Sequence, residues 1–101
     1  MIKILQINYR LNSPISDFLA QAGSAAKMIS NLDGLRWKIW LKNEGQNEGG
    51  GLYLFENEAA VESFVNGPIV ERLRANPALA ELSVKIFDIQ SDLSLITQAP
   101  I

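Results

Sequence analysis

The chain has 101 residues, 48% apolar and 20% charged, with a net charge of −2. That size and composition suit one globular domain rather than a disordered segment, and the charge offers no electrostatic footprint for nucleic acid. Cysteine and histidine are absent, which excludes disulfides, thiol chemistry, zinc sites built on Cys or His, and a Ser-His-Asp triad.

The opening residues Met1-Ile2-Lys3-Ile4-Leu5 lack the basic start and small-residue cleavage site of a signal peptide. No apolar run approaches the roughly 20 residues that cross a bilayer, so a cytoplasmic protein is expected. Ile2 to Tyr9 reads as a strand, apolar on both faces near its start and therefore expected to be covered on both sides. Asn12-Ser13-Pro14 then starts a helix, with Ser13 as N-cap and Pro14 at the first helical position. Its apolar stripe is Ile15, Phe18, Leu19, Ala22, Ala26 and Ile29, and it runs to about Ser30 before Asp33-Gly34 turns the chain.

The second strand spans about Leu35 to Lys42. Alternation puts Leu35, Trp37, Ile39 and Leu41 on one face, and Arg36, Lys38, Trp40 and Lys42 on the other. A polar loop, Asn43 to Glu48, leads into a third strand from about Gly49 to Phe55. Here Gly51, Tyr53 and Phe55 oppose Leu52 and Leu54. Bulk at Trp40, Leu52 and Leu54 implies a second sheet face that is not fully solvated. The run Gly49-Gly50-Gly51 marks either a flexible loop end, or a bulge or close approach of another group.

Asn57 is placed to cap the next helix, whose buried stripe is Ala60, Val61, Phe64 and Val65. Gly67-Pro68 interrupts it, and a shorter helix carrying Ile69, Val70 and Leu73 ends at Asn76-Pro77. Leu82 to Ile89 is the last strand. The tail, residues 90–101, carries Leu93, Leu95, Ile96 and Ile101, and is expected to pack on the domain or on a partner. The order β-α-β-β-α-β defines an α+β, ferredoxin-like domain with an antiparallel sheet. Helices cover one face; a homodimer packing sheet against sheet would cover the other.

No dinucleotide fingerprint or P-loop is present. Glu44, Glu48, Glu56 and Glu58 flank the hairpin and are expected to face water, as are Arg72 and Arg74 on their helix. Asp88, late in the last strand, reads as structural or surface. The best site candidate is a cleft between helices and sheet. Trp37 and Tyr53 would bring an indole N–H and a hydroxyl to it, Asn12 would lie near its mouth, and Phe18 and Phe55 would wall it. The competing reading makes Trp37 and Tyr53 core aromatics with satisfied polar atoms. Arg36 and Lys38, opposite in parity to Trp37, are expected to be solvated or interfacial.

These segments together resemble the YdhR-like mono-oxygenase family of the dimeric α+β barrel superfamily, related in fold to the antibiotic-biosynthesis mono-oxygenases. The resemblance is carried by Asn12-Ser13-Pro14, by Trp37-Lys38-Ile39-Trp40 and by Glu48-Gly49-Gly50-Gly51-Leu52-Tyr53-Leu54-Phe55. Lys85-Ile86-Phe87-Asp88-Ile89 and Leu95-Ile96-Thr97-Gln98-Ala99 continue it over nearly the whole chain. It implies a homodimer through the sheet faces and a pocket in each protomer. It further implies oxidation of a small phenol or hydroquinone by dioxygen with no flavin, haem or metal cofactor. In that scheme Trp37 stacks on the ring or donates to it, Tyr53 hydrogen-bonds a substrate oxygen, and Asn12 orients it. The histidine usual near the family's hairpin is Asn47 here, which removes the easiest base near neutral pH. The alternative is a non-catalytic dimer that binds or senses a small aromatic ligand.

Overall fold

Alternating apolar residues on the first strand, β1 (Lys3–Leu11), bury Leu5, Ile7, Tyr9 and Leu11 on one face and set the layer against which everything else packs. In the computed structural model, which describes residues 1–101, the elements after β1 are α1 (Ile15–Ala20), α2 (Gly23–Ser30), β2 (Leu35–Asn43), β3 (Glu48–Phe55), α3 (Glu58–Val65), α4 (Pro68–Ala75), β4 (Leu79–Asp88) and α5 (Ser91–Ile96). The four strands form one sheet in the order β2-β3-β1-β4, with every neighbouring pair antiparallel. This is the expected α+β, ferredoxin-like arrangement. Tyr53, Phe55, Val61, Phe64 and Val70 join the β1 residues in a core between sheet and helices.

Local chemistry explains most boundaries. Asn57 caps α3 as expected, its Oδ1 accepting the Ala60 amide at 2.8 Å. Pro68 opens α4 at a position where a missing N–H costs nothing. The first helix departs from expectation by breaking in two. The Gln21 and Ala22 amides reach only three residues back, to the Phe18 and Leu19 carbonyls at 3.1 Å each, and Gly23 then restarts the helix. The last strand begins at Leu79 rather than Leu82, with Glu81 at φ 53° near a register shift opposite Asn8 and Arg10.

The cap of α1 is also different. Ser13 makes no cap; the Ile15 amide donates instead to Oδ1 of Asn47, 2.8 Å away across the hairpin. Asn47 Nδ2 donates to the carbonyls of Leu11 and Ser13, at 2.7 Å each. Asn47 follows a 3-10 turn (Glu44–Gln46) and adopts a left-handed φ of 49°, a conformation asparagine tolerates better than most residues. One side chain thus shapes the hairpin and ties it to the start of α1.

The register of β2 on β3 carries the largest difference from expectation. Leu35 lies opposite Phe55, but an irregularity follows, so Trp37 lies opposite Leu54 rather than Tyr53. A one-residue slip exchanges the two faces of a strand. Lys38 and Trp40 therefore share the helix-covered face with Tyr53 and Gly51, while Trp37, Ile39 and Leu41 face the other way with Leu52 and Leu54. On that side the Trp37 indole N–H donates to the Pro100 carbonyl at 2.9 Å, holding the C-terminal end against β2. Lys3 and Asp88 form an ion pair between β1 and β4. No helix is long and apolar enough to cross a membrane.

Asn47→Ala removes the trans cap and two donors at once. It is expected to lower unfolding free energy by about 2–3 kcal/mol in urea denaturation. Asn47→Gly, which relieves only the backbone conformation, should recover a small part of that loss.

Candidate functional site

A cavity of about 290 Å³ opens between the sheet and helices α1, α2 and α4. Its floor is the helix-covered face of the sheet: Tyr9 from β1, Lys38 and Trp40 from β2, and Gly51 and Tyr53 from β3. Phe18, Met28, Ile29, Ile69 and Leu73 close it from the helices, and Gln21, Arg72 and Asn76 complete the lining. The volume lies near the lower end of the range for small-molecule sites.

The glycine run makes this floor. A Cβ on Gly51 would sit 2.7 Å from Lys38 Cε and 3.2 Å from Tyr53 Cε1. A Cβ on Gly50 would meet the Ile7 carbonyl oxygen at 2.2 Å. Close approach, not loop flexibility, accounts for these glycines. Bare backbone at Gly51 lets the Lys38 stem lie across the strand. Its Nζ then rests 3.3 Å from the Trp40 ring centroid and 4.5 Å from that of Tyr53. The ring faces attract an ammonium, but removal from water dominates and pulls the Lys38 pKa down to about 7. No aspartate or glutamate lines the cavity to offset that.

Tyr9 and Tyr53 add two hydroxyls to the lining. Burial pushes the Tyr9 pKa up to about 12. Tyr53 is raised as well, by burial first and by the neighbouring Tyr9 second. Both therefore remain neutral hydroxyl donors at pH 7. Tyr9 packs edge-on to Phe18, with centroids 5.4 Å apart. No group of three or more His, Cys, Asp or Glu side chains converges anywhere in the fold.

Of the residues singled out from sequence, Tyr53 and Phe18 reach the cavity and three do not. Trp37 is on the opposite sheet face because of the β2 irregularity, and its N–H is occupied by Pro100. Asn12 is exposed and donates from Nδ2 to the Pro77 carbonyl at 2.9 Å, joining the end of β1 to the loop before β4. Phe55 is fully buried behind Tyr53, their rings stacked 6.1 Å apart, and supports the wall without forming it. Lys38, expected to be solvated or interfacial, instead lies on the cavity floor with Trp40, because the β2 irregularity turns both toward the helices. Arg72 is exposed, as expected, and also lies at the cavity rim. Arg36 is exposed, as expected.

The profile of the family described as Putative mono-oxygenase ydhR matches residues 4–100. The chain belongs to this family. No curated protein matches it in sequence. Among solved structures, a protein of unknown function from Nitrosomonas europaea is 25% identical, with a TM-score of 0.67 over 90% of this chain and 92% of that one. The cofactor-independent oxygenase SnoaB from Streptomyces nogalater superposes with a TM-score of 0.71 at 12% identity, over 89% of this chain and 94% of its own. The heme-degrader MhuD from Mycobacterium tuberculosis, solved with two hemes in its active site, has a TM-score of 0.65 at 19% identity, over 86% and 95%. The last two likenesses are of fold. Asn47 serves as a structural clamp, and Lys38 brings a titratable nitrogen to the cavity.

Lys38→Met should raise stability by about 1–2 kcal/mol at pH 7, because burying an uncompensated amine is costly. Between a folded pKa of about 7 and the ordinary value of 10.5, the unfolded chain holds more protons. Wild-type stability therefore rises with pH across that window. Thermal melts of the two proteins should differ most near and below pH 7 and converge above pH 10.5.

Proposed function

We propose that the protein is a cofactor-independent mono-oxygenase acting on a small phenol or hydroquinone. One observation supports this above the others: Lys38, Tyr9 and Tyr53 line one largely apolar cavity, with the Lys38 amine lying over the Trp40 and Tyr53 rings and no carboxylate beside it. A planar substrate lies against Trp40 and Phe18. Its phenolic proton passes to neutral Lys38, and the ammonium so formed stays beside the phenolate. Tyr53 and Tyr9 donate hydrogen bonds to substrate oxygen. The phenolate passes one electron to dioxygen, and the resulting superoxide and phenoxyl radical join at a ring carbon bearing hydrogen. Loss of water from that peroxide leaves a quinone. Phenol plus dioxygen gives quinone plus water, so the substrate itself supplies all four electrons. A bound substrate filling the space beneath the helices displaces water from beside the radical pair.

The test is oxygen uptake with product mass across a panel of phenols and hydroquinones added to metal-free protein. Turnover should show one oxygen gained and two hydrogens lost. Lys38→Met should slow it by about 10²-fold or more, and Tyr53→Phe by about tenfold. The wild-type rate should climb with pH through about 7, as Lys38 loses its proton. Wild-type rates in Lys38→Met would overturn the proposal, and ligand binding without uptake by any panel member would favour a carrier or sensor.

The reading includes a homodimer joined through the sheet face away from the helices. Ile39 and Phe87 are 47% and 45% exposed, and register puts both on that face. An Ile39→Asp variant should run as a monomer by light scattering while the wild type runs as a dimer.

A further inference from the structure

Both charged side chains on the cavity are cationic, although the chain as a whole carries a net charge of −2. Lys38 lies on the floor and Arg72 at the rim. The ion pairs of the protein are Lys3–Asp88, Arg10–Glu81 and Lys42–Glu44, so Arg72 has no carboxylate partner. Beside it, Asn76 is already oriented: its Oδ1 accepts the Ala78 amide at 2.9 Å, which leaves the Nδ2 donor free. The rim thus offers a guanidinium and a carboxamide N–H₂, a donor set suited to a planar anion.

We propose that the substrate is a hydroxyarenecarboxylate, with its phenolic oxygen at Lys38 and its carboxylate held at the rim by Arg72 and Asn76. This rests on the phenol-oxygenase reading and narrows it to an acidic aromatic. Arg72 is then the residue that sets specificity. Its rival role is to complement the C-terminal end of α4, in whose last turn it lies. That role would affect stability and leave ligand preference unmoved.

Calorimetric titration of the full chain with 4-hydroxybenzoate and with 4-ethylphenol, similar in size but lacking the carboxylate, separates these cases. The wild type should bind 4-hydroxybenzoate about tenfold more tightly or better. Arg72→Gln should erase that preference while changing 4-ethylphenol affinity less than about twofold, and Arg72→Lys should restore part of it. Equal wild-type affinities, or an Arg72→Gln loss shared by both ligands, would overturn the carboxylate assignment and leave the phenol pocket standing. Failure of both ligands to bind would overturn both.

Discussion

The register of β2 against β3 is the constraint on which the site depends. Strand side chains alternate, so a single irregular residue between Leu35 and Trp37 decides which of two tryptophans meets the cavity and which meets the C-terminal end. It also decides whether the one lysine between them is solvated or enclosed. The hairpin maintains that register: Asn47 closes the turn in a left-handed conformation and binds the backbone on either side of the β1–α1 junction. Turn geometry, helix start and cavity floor are therefore linked through one asparagine.

An amine held between two rings, above a glycine and without a counter-ion, is an expensive arrangement for a domain this small. The cost falls on folding, and the return is a nitrogen that changes protonation near neutral pH in a chain with no histidine. Groups with such altered nitrogens concentrate at functional sites. Gly51 is what makes the arrangement sterically possible, since any side chain there would occupy the lysine's path.

Much of the fold was legible in the sequence. Element order, the Asn57 cap, the Gly67-Pro68 break and the Asn76-Pro77 stop depend on local chemistry that a short window contains. The β2 faces were not legible from apolar alternation, because Leu35-Arg36-Trp37 alternates perfectly well across the irregularity. Counting back from the hairpin would have served better. Asn43 opposite Glu48 leads to Trp40 opposite Gly51 and Lys38 opposite Tyr53. The Asn47 clamp and the rim position of Arg72 depend on contacts between segments distant in sequence, which no periodicity reports. Tyr53 and Phe18 were found because burial of aromatic residues on a helix-covered face is a strong tendency.

The bond from Trp37 to Pro100 has a practical corollary. The chain holds two tryptophans, one on each face of the same strand. Trp40 borders the cavity, and Trp37 is tied to the last residues of the chain. The molecule therefore carries two optical reporters that face different events. Emission from one reports on the interior; emission from the other reports on the surroundings of the C-terminal end. A substitution that silences either leaves the other as a single-channel record of its own side of the sheet.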